Sequence, residues 1–247
     1  MSVSWYTEET FWVTWAPYLF DEKRWAEVPG AVDSLLEFYG NSDVLQVLDT
    51  CCGPGRFTLE FARRGHAVTA VDVVQSFLSA IEDTASDEHL QVTPICKDIL
   101  RFEPVQQYDI VLNLYTSFGY FEHRRDDLTF LRMVHKALKP GGWFFLELTG
   151  KEICARYFSE GEWFEKDKAV VCTQFFVDDG WEYLNNRWIV CKDGKKTEHS
   201  WKLRLYSSRE LELLLYEAGF TLVRTFGSFE FVPYDHNAKT LLIAARK

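Results

Sequence analysis

The residue types best suited to chemistry crowd into LDTCCGPGRF, residues 48–57. A carboxylate, Asp49, ends an apolar run, and small residues with two glycines, Gly53 and Gly55, lead from it into a helical pattern. Glycines there let backbone N–H groups approach a ligand that Cβ atoms would obstruct. A second carboxylate, Asp72, ends the next apolar run 23 residues later, placed to accept hydrogen bonds from both hydroxyls of a ribose. No G-x-G-x-x-G occurs, so nothing builds a pyrophosphate cradle. The pair of acids and the loop between them suit a nucleoside without phosphates.

Such groups need strands to carry them, and the stretch 44–149 alternates between strand and helix. VLQVLDT (44–50) and HAVTAVD (66–72) read as buried strands. LQVTPIC (90–96), YDIVLNLY (108–115) and WFFLELT (143–149) follow as strands three to five. Between the first two, Phe57, Phe61 and Ala62 share a helical face, and Gly65 stands where a helix C-cap belongs. A later helix, about 124–138, aligns Leu128, Leu131, Val134, His135 and Leu138, and KPGG (139–142) reads as a turn. Strand–helix alternation with right-handed crossovers implies an α/β, doubly wound parallel sheet, with ligands beyond its strand carboxyl ends. The stretch 150–206 breaks this rhythm with DDG and KDGK between strand-like runs, which predicts a three-stranded antiparallel meander inserted after strand five. Ser207 and Glu210 are spaced as a capping box for a following helix, and strands near 220–230 and 238–246 end the chain.

In that order and spacing the motifs resemble those of the class I S-adenosylmethionine-dependent methyltransferases, over roughly 40–149 by motif and 207–247 by pattern. The resemblance implies a Rossmann-like seven-stranded sheet and S-adenosylmethionine as cofactor. It places Asp49 and the loop residues Cys52, Gly53, Gly55 and Arg56 at the methionine end, and Asp72 with Val73 at the ribose. It also places Asp98 near the adenine amino group, Ile99 against the ring and Leu114 beside the sulfonium. Cys51 departs from the pattern, standing where the family usually has glycine. Arg56 has two readings, a carboxylate ligand or a cap on the sheet edge.

Methyl transfer from a sulfonium needs a nucleophile held near the methyl and water excluded, with a base optional. YTSFGYFEH (115–123) follows strand four, so Tyr115, Phe118, Tyr120 and Phe121 are candidates to line the site. Tyr115 and His123 are the candidate catalytic residues, the latter read alternatively as a surface residue in EHRRDD. Twenty-one of the 40 aromatic residues lie in 1–43 and 150–206, which suggests two walls of a substrate compartment. Segment 1–43 is read as an aromatic lid presenting Tyr6, Trp12, Trp15 and Tyr18, and the insert as presenting Trp188, Trp201, Arg204 and Tyr206. Packing is the alternative for each. Tyr234 and His236 are weaker candidates in a late loop.

Composition narrows the partners. The formal net charge is −10 and no basic patch is apparent, so nucleic acid is not expected. The six cysteines show no C-x-x-C pair and no zinc spacing, so no metal is expected and the thiols read as reduced and cytoplasmic. No apolar run is long enough for a membrane span, and the N-terminus does not read as a signal peptide. The expectation is an enzyme methylating O or N of a small molecule, as a monomer or homodimer. A tRNA or protein modifier and a non-catalytic cofactor-binding protein are the alternatives.

Overall fold

Seven of the apolar runs pair into one sheet in a computed structural model that describes residues 4–40 and 43–247. Met1, Ser2, Val3, Asn41 and Ser42, all within the segment read as a lid, lie outside the described residues. Three helices come first, α1 (Glu9–Leu19), α2 (Glu22–Ala26) and α3 (Val28–Tyr39). The alternating stretch is β1 (Gln46–Thr50), α4 (Arg56–Arg63), β2 (Ala67–Asp72), α5 (Gln75–Asp87), β3 (Val92–Cys96), β4 (Tyr108–Asn113), α6 (Arg124–Ala137) and β5 (Leu138–Leu148). After an insertion come α8 (Ser208–Ala218), β10 (Leu222–Phe226) and β11 (Leu241–Arg246). The sheet order is β10-β11-β5-β4-β1-β2-β3. β11 runs antiparallel to both neighbours and every other pair is parallel. β1 lies between β2 and β4, so the chain winds outward both ways and a crevice opens at their carboxyl ends.

Local chemistry accounts for the element ends. Gly65, at φ 87°, donates to the Ala62 carbonyl while His66 N–H donates to that of Phe61, the two bonds of a Schellman ending for α4. Ser207 and Glu210 form the expected capping box at α8. α6 stops at Ala137, because Leu138 has extended backbone and begins β5. KPGG is therefore the start of that strand rather than a turn before it, with only Gly141 left-handed at φ 81°.

The inserted unit holds one strand more than the sequence suggests. After the short α7 (Lys151–Arg156), β6 (Gly161–Lys166), β7 (Ala169–Val177), β8 (Tyr183–Lys192) and β9 (Lys195–Arg204) form a four-stranded antiparallel sheet. β6 escapes a pattern search because it is an edge strand with Gly161, Glu162 and Trp163 exposed, so almost no apolar alternation marks it. On the inner face of this sheet Ala169, Val171 and Val190 pack on Phe11 and Trp15 of α1. Trp15 donates its indole N–H to His199 Nδ1 at 3.0 Å. The first aromatic segment thus docks on the insert, while α3 covers the seven-stranded sheet through Val28, Val32 and Leu35. Among the described residues no helix is long and apolar enough to cross a membrane.

Candidate active site

The loop after β1 is tied down by its own backbone and by the second acid. Cys52 N–H donates to Val71 O at 3.1 Å, and Gly55 N–H to Cys52 O at 3.1 Å. The Asp72 carboxylate accepts from Gly53 N–H at 2.8 Å and Val74 N–H at 3.0 Å, so it braces the loop from β2. Burial raises its pKa and these bonds oppose the rise. Cys51 has φ 57°, the left-handed conformation that favours glycine, which gives the departure at this position a physical meaning. Gly55 has φ 81°, and a Cβ there would stand 2.4 Å from Ile81 Cγ1. Its role is close packing of loop on helix rather than lining. Asp49 is buried and accepts from Thr58 Oγ1 at 2.6 Å, and burial pushes its carboxyl up to about 7.

The loop after β4 is strained. Tyr115 and Thr116 are both left-handed, at φ 65° and 60°. Such conformations cost about 1–3 kcal/mol each and persist only where the surroundings hold them. Here Glu147, at the carboxyl end of β5, accepts Tyr115 N–H at 2.7 Å, and its carbonyl accepts Thr116 N–H at 3.1 Å. Thr240 donates to the other carboxylate oxygen, and burial raises the Glu147 pKa. The Tyr115 hydroxyl donates to Leu19 O at 2.9 Å, and the Arg56 guanidinium lies 4.1 Å from its ring centroid.

Above these loops lies a cavity of about 1020 Å³, at the top of the range for small-ligand sites. Asp49, Cys52, Gly53, Arg56, Asp72 and Val73 line it, as do Asp98, Ile99 and Leu114. Asp98 accepts Leu100 N–H at 3.0 Å and so caps the short turn that carries Ile99. Of the residues read as substrate-facing or catalytic, Tyr6, Trp12, Tyr115, Tyr120, Phe121, Trp188 and Trp201 also line the cavity. The others stand elsewhere. His123 is exposed at the N-cap of α6, where the helix start faces solvent. Phe118 is only 2% exposed and packs on Phe130 and Tyr206, because the turn at Gly119 sends it inward. Tyr18 lies beyond the Trp15 ring against Phe164.

Arg204 is a buried clamp. Its guanidinium donates to Asp127 Oδ2 at 3.2 Å, Glu182 Oε1 at 2.7 Å and Glu122 O at 2.9 Å. Tyr206 donates to the same Asp127 oxygen at 2.8 Å, and Tyr234 to Glu152 Oε2 at 3.0 Å, so neither hydroxyl serves the cavity.

Several lining residues carried no motif. Phe20 and Phe77 sit at the cofactor end, Arg24 and Glu147 beside Tyr115, and Asn186 on the inner face of β8. Glu147 had a signal, since it is the acid at the carboxyl end of the strand next to β4. Arg56 is 6% exposed, and among the described residues its guanidinium has no carboxylate within ion-pair distance and one hydrogen-bond partner, Arg24 O at 2.9 Å. A buried guanidinium so placed leaves donors for an anionic ligand group. The glycine loop, the braced Asp72 and this cation fit an amino-acid nucleoside such as S-adenosylmethionine.

Comparison with known proteins agrees. The family described as "Methyltransferase domain" matches residues 47–142. The ubiquinone biosynthesis O-methyltransferase of Bradyrhizobium sp. (strain ORS 278) is 30% identical over 149 residues, 55% of this chain and 57% of that one. The chain thus spans about half of that relative. A solved S-adenosylmethionine-dependent methyltransferase from Clostridium acetobutylicum superposes with a TM-score of 0.79 at 17% identity, covering 96% of this chain and 97% of the other. An amino pentose methyltransferase from Micromonospora echinaspora, involved in calicheamicin biosynthesis and solved with SAM bound, superposes at 0.69 with 18% identity over 95% and 97%. With its sheet order, its loop and these matches, the chain carries a methyltransferase domain over residues 47–142 within the Rossmann-like fold of the S-adenosylmethionine-dependent methyltransferases.

Proposed function

We propose that the enzyme methylates O or N of a small molecule, held between the aromatic N-terminal segment and the inner face of the inserted sheet. The observation that carries this reading is the wall of Trp5, Trp12, Tyr120, Trp188 and Trp201, continuous with the cofactor loop in one cavity. Flat rings present apolar faces and favour a nearby cation by about 0.5–2 kcal/mol. The names of the Bradyrhizobium and Micromonospora proteins, one a ubiquinone pathway enzyme and one acting on an amino pentose, support a small acceptor.

S-adenosylmethionine supplies a methyl group on cationic sulfur, so the chain's own work is holding and shielding. In this reading Asp72 holds the ribose hydroxyls, Asp98 and Ile99 the base, Arg56 the carboxylate and Asp49 the ammonium of the amino-acid end. The segment from Trp5 to Phe20 acts as a lid that keeps water from the transfer. A negative overall field favours neutral or cationic acceptors over nucleotides and RNA. A tritiated-methyl screen of metabolite pools against bulk RNA and protein tests this. Labelling of small molecules is expected, and labelling confined to RNA or protein overturns it.

Asp49 gives this cofactor reading a pH signature. Its raised pKa means the folded, ligand-free protein holds a proton that the unfolded chain has lost. That group's contribution therefore falls as pH rises from the ordinary carboxylate range through about 7. An ammonium-bearing ligand needs the ionised form. The affinity for S-adenosylhomocysteine should thus rise about tenfold from pH 6 to pH 8 and then level off. Calorimetry across that range should show the rise in the native protein and a flat profile in Asp49→Asn.

A further inference from the structure

We propose that the Tyr120 hydroxyl holds the methyl-accepting atom and that this atom is the nitrogen of a neutral amine. The inference rests on the small-molecule reading above.

Four other tyrosine hydroxyls are already committed, Tyr108 to Thr69, Tyr115 to Leu19 O, Tyr206 to Asp127 and Tyr234 to Glu152. Tyr120 lines the cavity, and its hydroxyl makes no hydrogen bond among the described residues, yet is not sealed away from the cavity space. Its ring packs on Trp5 at 4.7 Å and on Trp12 at 6.3 Å between centroids. The ionisable groups that act on it are Cys51, Tyr115 and Asp72, all at the strand ends beside the glycine loop. The hydroxyl therefore stands at the junction of the cofactor end and the aromatic wall, where a transferred methyl must cross.

The position is rigid. Arg204 N–H donates to Gly119 O at 2.8 Å and the Arg204 side chain grips Glu122 O at 2.9 Å, so the backbone is held on both sides of Tyr120. Gly119, at φ 98°, has no room for a side chain, since a Cβ would lie 2.5 Å from Arg204 O. Burial raises the Tyr120 pKa, which keeps the phenol protonated and makes it a poor base. Its oxygen can accept an amine N–H and leave the nitrogen lone pair free. An alcohol would need its proton removed before transfer, whereas a neutral amine forms the N–C bond as the methyl–sulfur bond breaks, leaving S-adenosylhomocysteine and an ammonium that later gives its proton to water. Of the cavity-lining acids, Asp49 is engaged with Thr58, Asp72 with two backbone N–H groups, Asp98 with Leu100 N–H, and Glu147 with Tyr115 and Thr240.

The test compares S-adenosylhomocysteine with sinefungin, an analogue bearing an amine-substituted carbon in place of the sulfur. Calorimetry on the full chain and on Tyr120→Phe gives four affinities. The native protein should prefer sinefungin. Tyr120→Phe, which keeps the ring packing, should bind S-adenosylhomocysteine as before and lose about tenfold or more of that preference. An unchanged preference overturns the proposal. Equal weakening of both ligands also overturns it, because Tyr120 would then only shape the cofactor site. The methyl screen is scored separately. A tyrosine-dependent preference without small-molecule labelling would sink the acceptor reading while leaving the hydroxyl at the transfer point.

Discussion

Replacing Asp72 with alanine is expected to weaken S-adenosylmethionine and S-adenosylhomocysteine binding by at least about a hundredfold. Two charge-assisted hydrogen bonds to ribose are worth about 1.5–3 kcal/mol each. The structure adds a second loss, because the same carboxylate holds Gly53 N–H and Val74 N–H and so fixes the loop that cradles the ligand. Asp72→Asn separates the two contributions, since an amide oxygen still accepts one backbone N–H. Calorimetry on folded variants decides the matter. Affinity unchanged in Asp72→Ala would remove this residue from the cofactor site.

The largest expected effect on stability lies far from any ligand. Asp127 is fully buried and Arg204 nearly so, and they meet at 3.2 Å where the insert joins α6. Breaking a buried pair typically costs about 3–5 kcal/mol, and without Asp127 the buried Arg204 keeps only the exposed carboxylate of Glu182 as an ion-pair partner among the described residues. Asp127→Ala should therefore lower the unfolding midpoint by about 10 °C. Burial pushes the Asp127 carboxyl up to about 6, despite the Tyr206 hydroxyl and the Arg204 charge. Its contribution accordingly weakens as pH rises from the ordinary carboxylate range through about 6. The double variant Asp127→Ala, Arg204→Met should recover much of the loss, since no buried cation then depends on an exposed carboxylate alone. A double variant no more stable than the single one would show that packing, rather than charge, holds the junction.

Readability in the sequence divided along physical lines. Asp49, Asp72 and the glycines were visible because strand ends, loop glycines and their spacing obey backbone rules that any sequence displays. The Ser207 cap and Gly65 were visible for the same reason. Residues whose roles depend on which side of a turn they face were not. Phe118 and Tyr120 lie two apart in one loop, yet one enters the core and the other the cavity, because Gly119 reverses the chain between them. Arg204 reads in the sequence as part of the insert's substrate wall, and only tertiary packing shows it clasped by Asp127 and Glu182. β6 stayed hidden since an exposed edge strand needs no apolar alternation. Glu147 carries a positional signal, an acid at the carboxyl end of a strand, but its role in steadying a strained loop from the next strand has no local pattern.

The aromatic wall and the cofactor sheet belong to separate hydrophobic cores. Phe11, Trp15, Ala169, Val171 and Val190 form a cluster containing no residue of the seven-stranded sheet. Changes at Trp188, Trp201 or Asn186 therefore repaint the pocket without disturbing the packing under Asp49 and Asp72. Natural variation in such a protein can run at two speeds, slow beneath the nucleoside and fast across the insert. If the insert is the acceptor wall as proposed, directed evolution toward new acceptors should begin on the inner face of β8 and β9, which stands apart from the packing of the sheet.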